Sequence, residues 1–133
     1  MATTPHAAAL IDSDVLIDAA RGLLEARAFL NDQNRAFRVQ ISTISAMELI
    51  VGCRNKIELS QTKRFLEPVR ILPVDPNISD TAYSLIQTFT LSHGLMIPDA
   101  LIAATALENG LTLMTKNTRH FQMIPKLEVV RPY

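Results

Sequence analysis

Ala7-Ala8-Ala9-Leu10-Ile11-Asp12-Ser13-Asp14-Val15-Leu16-Ile17 passes from an unbroken apolar run, through two carboxylates, to apolar residues again. A short run of this kind reads as a strand buried on both faces, and Leu16, Leu23, Leu24, Phe29 and Leu30 give the following segment, Val15 to Asn34, the spacing of a helix. The same alternation continues outward. Arg38 to Ser42 places Val39 and Ile41 between polar neighbours as a second strand, and a helix follows from Ser45 through Met47, Leu49, Ile50 and Val51. Glu58 to Leu66 is helical in pattern, Val69 to Val74 is β-like, and Pro76 separates it from a helix over Asn77 to Leu91. Pro98 suits the first turn of a helix that runs through Leu107 and ends at Gly110; Leu111 to Met114 and Leu127 to Val130 supply the last strands.

Strands separated by helices predict an α/β fold, with a mainly parallel central sheet flanked by helices on both faces. With 133 residues, 48% of them hydrophobic, the chain is long enough to bury a core as one domain over residues 1–133. The 13 basic and 13 acidic side chains cancel, so there is no overall field to draw in polyanions, and any nucleic-acid contact must come from local patches. Cys53 is the only cysteine, which excludes an intrachain disulfide and fits a reducing cytoplasm. Met1 to His6 lacks the features of a secretion signal, and no apolar run approaches the roughly 20 residues that span a bilayer, so the chain reads as soluble.

In sheets of this class ligands gather at the carboxyl ends of the strands, which directs attention to four polar positions. Asp12 closes the first strand, where a desolvated carboxylate needs a cation or hydrogen-bond donors, whereas Asp14 fits a helix N-cap. Glu48 has two readings: it closes a capping box on Ser45, or it joins an acidic site. Asp99, just after Pro98, either complements the helix dipole or does the same. Asn117, in Thr115-Lys116-Asn117-Thr118-Arg119-His120-Phe121 after a strand, either shapes a turn or offers a carbonyl oxygen to a metal or its water. Together they can form an all-oxygen pocket of the kind that Mg²⁺ or Mn²⁺ prefers, suited to phosphoryl chemistry.

These motifs resemble those of the PIN-domain nucleases, and within them the VapC-like toxins of type II toxin-antitoxin systems. Ile11 to Ile17 is similar to the family's opening aspartate motif, Ile44-Ser45-Ala46-Met47-Glu48-Leu49 to its glutamate segment, Ile97 to Ala104 to its most distinctive helix, and Thr115-Lys116-Asn117 with Phe121 to its closing motif. The resemblance implies a PIN-like three-layer sandwich and a ribonuclease that uses Mg²⁺ or Mn²⁺ to hydrolyse RNA with water. Asp12, Glu48 and Asp99 would be the metal-binding acids, with Asn117 in the fourth position. That position is often aspartate in the family, and asparagine brings no charge to a second metal. The resemblance also implies a cognate antitoxin partner and a homodimer.

Other features carry less. His6, His93 and His120 are too scattered for a general acid-base pair, Cys53 reads as a small buried hydrophobe, and the four glycines are too dispersed to cradle a phosphate. Arg54, Lys56, Lys63 and Arg64 can form a basic face, and Lys116 and Arg119 lie where they can hold substrate phosphates, but ordinary solvated surface is the role such residues more often have. Two other functions fit part of the pattern. Asp12-Ser13-Asp14-Val15 is similar to the nucleophile and acid pair of haloacid-dehalogenase-type phosphatases, with Thr43 and Lys116 as helpers, although Asp99 has no close acidic neighbour. A PIN-like module that binds RNA or protein without turnover is the non-enzymatic alternative.

Overall fold

A computed structural model describes residues 8–36 and 38–133. Met1–His6, Ala7 at the head of the first predicted strand, and His6 therefore lie outside the described residues. Strands β1 (Ala9–Ile11), β2 (Gln40–Ser42), β3 (Arg70–Leu72), β4 (Thr112–Met114) and β5 (Val129–Val130) form a sheet that is parallel throughout, in the order β3-β2-β1-β4-β5. From β1 the chain moves to β2 and β3 on one side, then returns to lay β4 on the other. β1 is thus the strand where the winding reverses, the place where such sheets open a crevice at their carboxyl ends.

Six helices connect the strands: α1 (Ser13–Ala20), α2 (Leu24–Ala36), α3 (Thr43–Val51), α4 (Lys56–Leu66), α5 (Pro76–His93) and α6 (Ile97–Glu108). The expected helix over Val15 to Asn34 is two helices. Gly22 adopts φ +92°, a left-handed conformation that an L side chain resists, and this turns the chain between α1 and α2. Arg27 Nε donates to the Ala19 carbonyl at 2.9 Å, satisfying the end of α1 from the next helix. The helix expected to start at Ser45 begins at Thr43, because Ser42 is its N-cap: Ser42 Oγ accepts the Ser45 N–H at 3.0 Å. The amide that Glu48 was expected to cap is therefore already taken.

Alternation along the short strands separates two apolar layers. Leu10 and Leu113 face the layer formed with Ile78, Ala82 and Leu85 of α5 and Ala100, Ile102, Ala103, Ala104 and Ala106 of α6. Ala9, Ile11, Ile41 and Met114 face the opposite layer, with Val15 and Leu16 of α1, Ala46 and Leu49 of α3, and Leu66 of α4. Helices on both faces explain why β1 is apolar at every position. Helix α6 is mostly alanine on its buried positions, which lets α5 pack closely along it and seats its first turn, with Asp99, at the carboxyl end of the sheet.

Candidate active site

Asp12 leaves β1 at the winding reversal and is only 6% exposed. Its backbone N–H donates to the Met114 carbonyl at 2.9 Å, extending the β1–β4 ladder by one bond and fixing where the side chain starts. Asp12, and not Asp14, is the N-cap of α1; its Oδ1 accepts the Ser13 N–H at 2.8 Å. Its other oxygen, Oδ2, accepts the hydroxyl of Thr115 at 2.8 Å.

Thr115 follows β4 as Asp12 follows β1, and it is fully buried. Its Oγ1 lies 2.8 Å from Asp12 Oδ2 and 3.3 Å from Asp14 Oδ2, so one hydroxyl bridges two carboxylates. Asp14 Oδ2 also accepts the Lys116 N–H at 3.0 Å and Asn117 Nδ2 at 3.3 Å. Asn117 thus reaches the site, but it turns its amide nitrogen to Asp14 and is a donor here, not the expected oxygen ligand. The sequence assigned Asp14 to capping; its place in the pocket was signalled only by its spacing of two residues from Asp12.

Asp99 approaches from the first turn of α6, half-buried, with its Oδ2 3.4 Å from His120 Nδ1. His120, read from the sequence as one of three scattered histidines, thus lies at the surface beside Asp99. Glu48 stands at the exposed rim on α3, where its Oε1 accepts the Ser13 hydroxyl at 3.0 Å. Ser13 connects it to the residue next to Asp12. Glu48 also borders an open groove of about 1180 Å³ whose lining includes Ile17, Arg21, Leu30, Leu49 and Phe65.

The charges of this pocket act on one another. Burial, then the neighbouring Asp14 and more weakly Asp99, pushes the Asp12 carboxyl up to about 6, against the hydrogen bonds from Thr115 and Ser13. Burial also raises Asp99, with Asp14 adding to it and His120 opposing. Asp14 Oδ1 is buried and has no hydrogen-bond partner, a costly position for a carboxylate oxygen. A hard divalent cation would relieve both problems, and the donor set is carboxylate oxygen, which suits such an ion. Among the described residues no three acidic, histidine or cysteine side chains are already arranged to hold a metal, so chelation requires side-chain movement.

Several other expectations change. Lys116 Nζ pairs with Asp18 Oδ2 at 2.5 Å and is not directed to a substrate phosphate, whereas Arg119 is exposed. Arg54 is tied to Glu58 at 2.7 Å, which leaves Lys56, Lys63 and Arg64 as the exposed basic face. Cys53 is half-buried, its Sγ 3.3 Å from Thr62 Oγ1. The phosphatase reading loses both helpers: Thr43 Oγ1 donates to the Leu72 carbonyl at 2.8 Å, and Lys116 is engaged with Asp18. Among the described residues no helix is long and apolar enough to cross a membrane.

Comparison with known proteins bears on the family and the fold. The model of the PIN domain family matches residues 9–127. The chain is 37% identical to ribonuclease VapC10 of Mycobacterium tuberculosis over 120 residues, 90% of each chain, and 33% identical to ribonuclease VapC19 of the same organism over 121 residues, 90% of this chain and 96% of the other. Among solved structures, a chain of a toxin-antitoxin complex from Klebsiella pneumoniae superposes with a TM-score of 0.77 at 35% identity, covering 94% of this chain and 98% of that one.

Proposed function

The chain belongs to the PIN-domain family, and from that membership we propose that it is a metal-dependent endoribonuclease, the toxin of a toxin-antitoxin pair, with residues 1–133 as one nuclease domain. The observation that carries the reading is the pairing of a buried Asp12 with an unpartnered Asp14 Oδ1 at the winding reversal, across from Asp99. Buried like charges are a cost to folding that a protein with no use for them would avoid. Similarity to the two ribonucleases and to the toxin-antitoxin chain supports the substrate and the biological role.

Asp12, Asp99 and Glu48, joined by Asp14, would hold Mg²⁺ or Mn²⁺, with Asn117 steadying Asp14. Such an ion, when bound, polarises a phosphate oxygen, makes water more acidic and offsets charge on the leaving oxygen. The rest falls to the chain. Ser13 N–H and Thr115 Oγ1 fix both oxygens of Asp12, so its orientation is set before RNA arrives. Glu48 Oε2, the oxygen that Ser13 leaves free, is the one left to the ion, and at this exposed rim the proton of the attacking water passes to solvent. One water is consumed, the P–O bond to the leaving ribose oxygen breaks, and that oxygen is protonated. His120, exposed with its Nδ1 3.4 Å from Asp99 Oδ2, is the side chain this reading assigns to that step.

The proposed partners are RNA, a cognate antitoxin and a second copy of the chain, in the cytoplasm. The groove beside Glu48, apolar at Leu30, Leu49 and Phe65 and basic at Arg21, offers the antitoxin a surface that reaches Glu48 at the rim of the site. Total RNA incubated with purified protein and Mg²⁺ or Mn²⁺ should be degraded, and an Asp12→Ala variant or a chelator should stop it. Equal loss of RNA with the variant would mean contamination and defeat the proposal.

A further inference from the structure

One polar network is not used by this chemistry. It joins Arg131 and Tyr133, after β5, to α1 and to the loop after β4. Tyr133 Oη donates to Asp18 Oδ2 at 2.7 Å, the same oxygen that pairs with Lys116 Nζ. Arg131 Nη1 donates to the Lys116 carbonyl at 3.0 Å, while Arg131 Nε donates to the Tyr133 carbonyl at 3.2 Å. Lys116 is therefore held at its ammonium and at its carbonyl, and its own N–H donates to Asp14.

The consequence follows from peptide planarity. The Lys116 carbonyl and the Asn117 N–H belong to one rigid plane, so fixing the first aims the second. The Asn117 N–H donates to Thr115 Oγ1 at 3.0 Å. With that lone pair occupied, the Thr115 hydroxyl hydrogen is directed outward to Asp12 Oδ2 at 2.8 Å. A continuous chain of contacts runs from the Arg131 guanidinium through one peptide plane and one hydroxyl to the most buried acid of the pocket.

We propose that Arg131 and Tyr133 are positioning residues for the acidic site, fixing the Lys116–Asn117 peptide plane and through it the Thr115 hydroxyl that orients Asp12 and Asp14. The inference rests on the reading of this pocket as a nuclease centre. Electrostatics agree: Lys116 and then Tyr133 hold the Asp18 carboxyl below its usual range, while burial and Asp18 push the Tyr133 phenol up, so the phenol stays a donor and the carboxylate stays charged. The basic residue that the sequence pointed at substrate is thus a structural tie.

The test compares wild type, Arg131→Met, Tyr133→Phe and a control, Thr81→Val, which removes a surface hydrogen bond to Glu108 away from the site. Three readouts are taken on the full chain: hydrogen exchange of the Lys116 and Asn117 amides, Mn²⁺ affinity without RNA, and kcat and KM for RNA cleavage. Arg131→Met should speed Asn117 exchange about 3- to 10-fold, as loss of one hydrogen bond implies, and weaken Mn²⁺ binding and kcat by a similar factor. KM should stay within about twofold, because the substrate contacts are untouched. Tyr133→Phe should move the same quantities less, and Thr81→Val none of them. Unchanged exchange in Arg131→Met overturns the proposal, as does faster exchange with Mn²⁺ affinity unaltered. If wild type cuts no RNA the nuclease reading falls, and exchange with Mn²⁺ affinity still decides whether this segment orders the acids.

Discussion

Leu10 and Leu113 lie beside one another in β1 and β4, and under α5 and α6 they meet alanine and isoleucine side chains that need no partner. At the carboxyl ends of the same two strands, Asp12 and Thr115 lead into a pocket of carboxylates held by single hydroxyls and amides, one oxygen of which has no partner. The first region generates stability by removing apolar surface from water. The second spends part of it by crowding like charges away from solvent. If the proposed chemistry sits where folding is least favoured, substitutions in the two regions should have opposite effects on stability and activity.

The largest effect is expected at Asp12. Asp12→Asn should lower RNA cleavage by about a thousandfold or more, as for loss of a group acting on the transition state, yet raise the unfolding midpoint at neutral pH because the disfavoured charge is gone. A variant both inactive and less stable would break the contrast. Leu113→Ala should do the reverse, costing about 2–5 kcal/mol in urea unfolding and leaving kcat per folded molecule unchanged.

Acid sharpens the comparison. The folded carboxyl of Asp12 titrates at about 6, above its ordinary 3.8, so the native state takes up the proton first as pH falls. Without metal, the contribution of Asp12 to stability should therefore rise from pH 7 downward through about 6 and complete its gain below about 4, by roughly 3 kcal/mol, whereas that of Asp18, whose carboxyl is lowered, falls in acid. Asp99, also raised, adds in the same direction as Asp12. The difference between wild type and Asp12→Asn in chelator-treated samples isolates this contribution, and Mn²⁺ affinity should weaken over the same interval because protons and cations compete for the same oxygens. The smallest effect is expected at Ser42, which also ends a strand of this sheet but caps α3. Ser42→Ala should cost about 1 kcal/mol with cleavage unchanged, showing that charge, and not a place at the strand ends, separates the two kinds of residue.

The alternation of strand and helix was legible because each buried strand is a short apolar run and each helix keeps its spacing, as at Leu10-Ile11 and along α5. The break at Gly22 was not, since apolar residues keep helical spacing on both sides of it while only the backbone reverses. That Asp12 and Asp99 approach one another at the strand ends was legible, and how they are held was less so. Ser45-Ala46-Met47-Glu48 matches a capping box in letters, but the strand before it ends on Ser42, which reaches the Ser45 amide first and frees Glu48 for Ser13. Thr115 was unreadable as a partner of Asp12, because an uncharged hydroxyl gains that role only when the β1–β4 register sets it opposite that carboxylate. The role of Lys116 was not legible for a related reason: its partners, Asp18 and Arg131, are distant in sequence.

Strand β1 has a neighbour on either side, whereas β5, two residues long, lies at a margin of the sheet. Fraying of that margin would release the segment after it while leaving the middle of the sheet zipped. Gentle warming should therefore loosen the grip on Lys116 before Asp12 leaves its seat, and catalysis should decline ahead of cooperative melting.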